Sequence, residues 1–337
     1  MRVAVIGLGF MGSTHLKAWT SIPSAELAAV CTRDERKLCG DFSGIQGNVG
    51  SASRIDLGSA TKYTDLRQLL DDPRVEAVDI CLPTDLHAQV AIAAAEAGKH
   101  VLVEKPMALD SASARKMIAA AKKQNRVLMV AHVLRFMPEY EILGDLMHAG
   151  RIGVVRSATF RRRCAAPGWA AWLADPKQSG GGVFDLLIHD IDTCLALFGK
   201  PEMLSATGYE SLALGVDVIN AQLFYPCGLT VTVAGGWHHP RKFPFSMEYT
   251  VVADCATVEF SSAGRPPSLF REDGEIEMLG LQPKDAYRAE IEYFLECCKD
   301  NKSPDLCPPE ASADAVALAR WMIAARSKNG EKVPCHL

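Results

Sequence analysis

The apolar positions of this chain change rhythm near residue 150. Before it, short and nearly unbroken apolar runs alternate with stretches of helical spacing. Val3–Ile6, Glu26–Cys31, Ala77–Leu82, Val101–Val103 and Val127–Val130 are predicted strands. Helical periodicity fills the intervals, up to Ala18 and over Asp65–Leu70, Leu86–Gly98 and Asp110–Gln124, the last with Asp110 or Ser111 as its N-cap. Strands that alternate with helices predict a parallel, doubly wound sheet. Their continuous apolar character predicts a sheet covered on both faces. Residues 41–60 are rich in Gly and Ser and weakly periodic, and they read as a surface insertion.

After residue 150 the pattern becomes period-two. Val154–Arg163, Met203–Glu210, Asp217–Tyr225, Leu229–Trp237 and Met247–Ala253 are predicted strands, with Thr257–Phe260 extending the set. Short connections between them predict a mainly antiparallel, open sheet. Helices bracket it over Phe184–Phe198, Asp285–Lys299 and Ser312–Arg326. The expected organisation is α/β, with a first domain over 1–130 and a second, α+β domain over 131–337. A chain of 337 residues is long enough for both.

Composition narrows the function classes. A net charge of -4 argues against a polyanion-binding role, so no nucleic-acid partner is expected. Arg161-Arg162-Arg163, the one basic run of note, reads as a local anion site or a solvated strand end. The 11 cysteines are odd in number, lack CxxC spacing and lie partly in apolar runs (Cys31, Cys81, Cys255). Free, buried thiols in a reducing cytoplasm are the simple reading, with Cys297 and Cys298 in helix packing and no metal site. The first strand begins at Arg2, which leaves no room for a signal peptide, and no apolar run approaches a membrane span.

The first strand ends in Gly7-Leu8-Gly9-Phe10-Met11-Gly12. Gly-x-Gly-x-x-Gly between a strand and a helix is the dinucleotide fingerprint of a Rossmann domain. Gly7 permits the tight turn, Gly9 lets the backbone approach a pyrophosphate and Gly12 lets the helix pack close. The helix N-terminus, including Phe10 and Met11, offers N–H groups to the phosphates. At the second strand tip, where an acidic residue usually binds the ribose hydroxyls, stand Thr32 and Arg33. A hydroxyl and a guanidinium suit a 2′-phosphate, so NADP is preferred over NAD. Asp34 falls late and reads as a helix cap. Pro83, Thr84 and His87 follow a strand end and line the same cleft, His87 either touching the ribose or nicotinamide or capping its helix.

Two further motifs carry chemistry. Glu104-Lys105-Pro106 follows an apolar strand, which places Glu104 and Lys105 at the carboxyl end of the sheet, beside the cofactor crevice. Gly180-Gly181-Gly182-Val183-Phe184-Asp185 runs on to His189, with a carboxylate and an imidazole one helical turn apart. An imidazole can take the hydroxyl proton of an alcohol while hydride leaves the same carbon. Lys105 can stabilise the developing alkoxide, and Asp185 can orient the ring or hold a second hydroxyl. Asp192 lies near the face of His189 and can support the ring from behind. Taken alone, the helix also reads as an ordinary N-terminal turn with a satisfied core histidine.

The same segments resemble the glucose–fructose oxidoreductase/inositol dehydrogenase/MocA family. The resemblance spans nearly the whole chain. It rests on Val5 to Gly12, Ala97 to Pro106, His132 to Pro138 and Gly180 to Asp192. It implies a Rossmann domain followed by an open antiparallel sheet that often builds the oligomer interface, hence a homodimer or homotetramer. It implies that Lys105, Asp185 and His189 stand where that family keeps its catalytic lysine, aspartate and histidine. It also implies hydride transfer between NAD(P) and a sugar, cyclic polyol or related hydroxy compound. The departures are Thr32-Arg33 and the insertion.

Substrate contacts are expected from Lys105, Asp185 and His189, with Arg161, Trp169 and His238 as further candidates. Trp169 and Trp172 flank a loop, where they either meet sugar C–H surfaces or anchor the loop to the core. Arg135 is expected to pair with a carboxylate. Two other functions remain open to the sequence: a glycosidase that retains NAD and oxidises its substrate transiently, and a non-catalytic dinucleotide-binding sensor.

Overall fold

The computed structural model describes residues 1–45, 54–168 and 170–337. The described residues divide into two compact units. The first comprises Met1–Val133 and Asp285–Ala313, the second Leu134–Lys284 and Asp314–Leu337. The segment 285–313, expected in the second domain, groups with the first, because its helix packs on the first helix of the chain.

The first unit holds β1 (Arg2–Ile6), α1 (Phe10–Thr20), β2 (Glu26–Cys31), α2 (Glu35–Leu38), β3 (Thr61–Tyr63), α3 (Leu66–Leu70), β4 (Ala77–Ile80), α4 (Thr84–Glu96), β5 (His100–Glu104), α5 (Ser111–Lys123) and β6 (Leu128–Ala131). Its six strands are parallel, in the order β3-β2-β1-β4-β5-β6. All residues of β4, β5 and β6 are buried, as expected for strands covered on both faces. The chain runs outward from β1 to β3 and then returns to β4. The switch point therefore opens at the carboxyl ends of β1 and β4, where such sheets bind ligands. Asp110 is the N-cap of α5, accepting from Ser113 N at 2.8 Å.

The second unit holds α6 (Pro138–His148), β7 (Val155–Cys164), α7 (Pro176–Ser179), α8 (Gly182–Phe198), β8 (Met203–Ser211), β9 (Val216–Phe224), β10 (Thr230–Trp237), β11 (Ser246–Ala253), β12 (Ala256–Ser261), β13 (Arg265–Arg271) and β14 (Ile276–Met278). The chain continues through α9 (Ala286–Asp300) of the first unit, α10 (Pro309–Arg326) and β15 (Val333–Pro334). The sheet has nine strands in the order β14-β13-β12-β11-β7-β10-β9-β8-β15. Its pairs are antiparallel except β7 with β10. Alternation sorts the side chains. In β7, Ala158, Phe160 and Arg162 are buried, while Ser157, Thr159 and Arg161 are exposed. α8 packs against β7, β9 and β10 on the buried face, which leaves the other face of the sheet open.

The cysteines among the described residues are free. Cys31, Cys81, Cys297 and Cys298 are buried, but Cys255, expected to be buried, is exposed in the turn between β11 and β12. Of the 41–60 insertion, residues 46–53 lie outside the described part. Among the described residues, no helix is long and apolar enough to cross a membrane.

Candidate active site

In the first unit the site is built from backbone. Gly7 has φ +90°, and a Cβ there would stand 2.5 Å from the Cys81 carbonyl oxygen at the tip of β4. A Cβ on Gly12 would meet Gly7 O at 1.9 Å, so only glycine lets α1 start this close to the strand. Gly9 differs, because a Cβ on it would meet nothing within 4 Å. Its bare backbone faces open space. The first turn of α1, which includes Phe10 and Met11, has neither a side-chain cap nor an acidic residue. An uncapped, positive helix end beside an open glycine fits a pyrophosphate.

At the tip of β2, Thr32 is half-buried and Arg33 exposed. Asp34 is the N-cap of α2, accepting from Arg36 N at 3.2 Å. Its side-chain bond to Arg36 holds its carboxyl below the usual range. Lys37 Nζ stands 3.7 Å from the same carboxylate. The segment 32–37 thus carries a hydroxyl, three cations and two carboxylates, of which Asp34 is engaged in the cap.

Two expected cofactor contacts turn inward. His87 is buried, with Nδ1 2.8 Å from Pro106 O and Nε2 2.8 Å from Leu82 O. Burial, set against these carbonyls, lowers its pKa. Both ring nitrogens face protein carbonyls, so His87 ties α4 to the turn after β5 and leaves no nitrogen for a ribose. Thr84 is buried, and Pro83 forms the N-cap position of α4. Glu104 is 5% exposed, with Oε2 accepting from Lys105 N at 3.0 Å and Oε1 3.0 Å from His15 Nε2. Its carboxylate braces the Lys105 turn from inside rather than facing a cofactor. Lys105 itself is half-buried.

Sequence reading missed the cluster behind this turn. His15 Nδ1 lies 2.8 Å from Asp79 Oδ2, which also accepts from Trp19 Nε1 at 2.6 Å. Burial opposes a charge on His15, but Asp79 and Cys81 together outweigh it and raise the pKa well above its ordinary value. Donor atoms of His15, Asp79 and Cys81 lie within 4.8 Å of one another. Burial pushes the Cys81 thiol far up. A protonated thiol and a carboxylate already shared by two donors make this a hydrogen-bond cluster rather than a ligand set. The signal available in the sequence was Asp79, a lone carboxylate inside an apolar strand.

In the second unit the site is built on α8. Of Gly182–Cys194 only Asp185 and His189 are not buried, and they form a stripe one turn apart. The three glycines set where this helix starts. A Cβ on Gly180 would strike the Phe184 ring at 2.6 Å, one on Gly181 the Asp217 carboxylate at 2.7 Å, and one on Gly182 the Trp237 ring at 2.4 Å. Asp217 caps the helix from β9, accepting from Val183 N at 2.9 Å. Arg326 of α10 donates to it at 2.6 Å.

The other carboxylates of α8 pair with arginines. Asp190 takes a two-pronged contact from buried Arg162, at 2.8 and 3.1 Å. Asp192 takes one from Arg135, at 2.8 and 2.7 Å. The expected carboxylate partner of Arg135 is thus Asp192.

Arg161 lies on the open face of the sheet and pairs with Glu248, opposite the face that α8 covers. The substrate contact expected of it is corrected by strand alternation, since Ala158 and Phe160 put Arg162 in the buried phase. His238, exposed, ends β10, and its N–H reaches Cys164 O at 3.3 Å. Cys164 is raised to about 12 by burial and then by the charge of Asp185. The ends of β7 and β10 and the start of α8 therefore meet, which brings His238 to the same end as Asp185. His238 packs on His239, and His239 stacks on Phe243 at 3.8 Å between centroids. Trp172 packs with Leu173, Leu186 and Trp237, the anchoring alternative. Trp169 lies outside the described residues.

Residues 1–132 match the family described as "Oxidoreductase family, NAD-binding Rossmann fold", and residues 140–259 match the GFO/IDH/MocA C-terminal domain. The chain belongs to the GFO/IDH/MocA oxidoreductase family. It is an oxidoreductase with an NAD(P)-binding domain. An uncharacterized oxidoreductase of Rhizobium meliloti is 30% identical over 239 residues, 68% of this chain and 67% of the relative. D-xylose 1-dehydrogenase (NADP(+)) 2 of Haloferax volcanii is 28% identical over 305 residues, 88% of this chain and 90% of the relative. Levoglucosan dehydrogenase in complex with NADH and levoglucosan has the same fold, with a TM-score of 0.86, 20% identity and 100% of both chains covered.

Proposed function

We propose that the protein transfers hydride between NADP or NAD and a sugar, cyclic polyol or related hydroxy or keto compound. The observation that carries this reading is the Asp185–His189 stripe on α8, the unburied face of an otherwise buried helix segment, in a chain of an oxidoreductase family. The nicotinamide ring, when bound, takes or gives the hydride. His189 removes the hydroxyl proton of the alcohol, or returns it in the reductive direction. Lys105 offsets the negative charge that develops on that oxygen. Asp185 orients the imidazole or holds a neighbouring hydroxyl, and His238 contributes a further polar contact at that end.

Gly7, Gly9, Phe10, Met11 and Gly12 hold the pyrophosphate. Thr32 and Arg33, with Arg36 and Lys37 next in sequence, favour NADP through its 2′-phosphate. The NADP-dependent relative from Haloferax volcanii supports the same choice. The open sheet face, lined by Thr159, Arg161 and Gln222, serves a second copy of the chain in a homodimer or homotetramer. The free thiols fit a cytoplasmic setting.

The test follows nicotinamide absorbance with a panel of sugars and polyols, in the wild type and in His189→Asn and Lys105→Met. Each variant is expected to lose on the order of 100-fold or more in turnover while retaining cofactor affinity. Unchanged rates would exclude these roles. A turnover ratio that favours NADH over NADPH would remove the NADP assignment.

A further inference from the structure

We propose that His15 is a positioning residue for Lys105, acting through Glu104. The proposal rests on the reading of Lys105 as the cation of the site. His15 is fully buried on α1, one turn beyond Gly12. Its ring lies between carboxylates from two neighbouring strands, Asp79 of β4 at 2.8 Å and Glu104 of β5 at 3.0 Å. The second oxygen of Glu104 accepts from Lys105 N at 3.0 Å. Two contacts, the His15–Glu104 ion pair and the Lys105 N–H donated to Glu104, therefore join the glycine-loop helix to the turn that bears Lys105.

The chemistry of the cluster matches that task. An imidazolium meets Asp79 through a hydrogen bond at Nδ1 and sets its positive charge 3.0 Å from Glu104, an ion pair in which Nε2 is not aligned for a hydrogen bond. Trp19 Nε1 also donates to Asp79. The groups that face His15 are Asp79 of β4, Cys81 just after it, Glu104 of β5, and Tyr287 and Glu290 of α9. Glu290 is fully buried, and neither carboxyl oxygen has a hydrogen-bond partner. Burial holds it neutral, so it leaves the imidazolium to Asp79 and Glu104. Small displacements at a reacting centre are costly, since about 1 Å of misplacement can lower a rate roughly 100-fold.

The experiment compares the full-length wild type with His15→Asn, His15→Gln and Trp19→Phe. An Asn amide reaches toward the Nδ1 position and keeps Asp79. A Gln amide reaches toward Nε2 and keeps Glu104. Two quantities are read: turnover, and the rate of reductive methylation of Lys105 across pH, followed by peptide mass mapping. His15→Asn is expected to lower kcat about 10- to 100-fold with the Kd for NADPH held, and to change Lys105 methylation severalfold. His15→Gln should restore most of both. Trp19→Phe should lower Tm and leave both readings near wild type.

Glu104→Gln, which keeps shape and removes charge, should reproduce His15→Asn and serves if that variant fails to fold. Unaltered Lys105 methylation in His15→Asn and Glu104→Gln overturns the proposal, as does a Trp19→Phe effect equal to theirs. If Lys105→Met leaves turnover intact, the functional reading of Lys105 fails. The methylation data then decide the role of His15 by themselves.

Discussion

The two units bury charge in opposite ways. Around α8, three carboxylates are held by guanidinium groups: Asp190 by Arg162, Asp192 by Arg135, and Asp217 by Arg326, which also holds Glu210. Behind β4 and β5, one imidazole serves Asp79 and Glu104 while Glu290 stands by without a partner. Guanidinium stays charged at any working pH, so the first arrangement is fixed. The second depends on two protons, one on His15 and one on Glu290. Rigid pairs set a helix start to the ångström, whereas a shared proton couples a turn to its surroundings.

The comparison is sharpest where one partner of a fixed pair is removed. Arg162→Met leaves Asp190 buried and uncompensated, and denaturant unfolding should show a loss of about 3–5 kcal/mol. Adding Asp190→Leu should recover most of it. Asp217→Ala frees the Val183 N–H and leaves Arg326 with Glu210 and the Val218 carbonyl, for an expected loss of about 2 kcal/mol together with reduced turnover. Asp217→Asn should lose less of both.

The shared-proton cluster should respond to pH instead. His15 and Glu290 both have folded pKa values raised well above their ordinary 6.5 and 4.5. Each binds its proton more tightly when folded, so the folded state is favoured below the ordinary value. That stabilisation is lost as pH rises through the folded one. Tm should fall on the alkaline side. Glu290→Gln keeps the protonated shape at every pH and should flatten that fall, as thermal melts across pH would show. An identical slope in the variant would place the alkaline loss elsewhere. The smallest stability effect belongs to Gly9→Ala. Its Cβ meets nothing within 4 Å, so Tm should hold while the Kd for NADPH rises severalfold.

How much of this was legible in the sequence depends on the distance between partners. Continuous and alternating apolar runs located most strands of both sheets, though not β3, β13, β14 or β15, because burial on two faces or one is a local property. The stripe of Asp185 and His189 was legible because its two members share one helix. α6 was not among the predicted elements, although Tyr140, Leu143 and Leu146 follow helical spacing behind Pro138. β13 is hidden by Pro266-Pro267 inside an otherwise plausible strand. The phase of Arg161–Arg163 could be read from Ala158 and Phe160, and the arginine run drew attention away from it. The His15 cluster gathers residues 15, 79, 104 and 290, and no local pattern announces such a meeting. The grouping of α9 with the first unit is hidden for the same reason.

The central claim is hydride transfer from a carbinol carbon. A polyol or sugar that the enzyme turns over, deuterated at the reacting carbon, should deliver its deuterium to the reduced nicotinamide recovered after turnover, in amounts equal to product. Conversion that leaves no reduced cofactor, with the label retained in the product or exchanged into water, would contradict it.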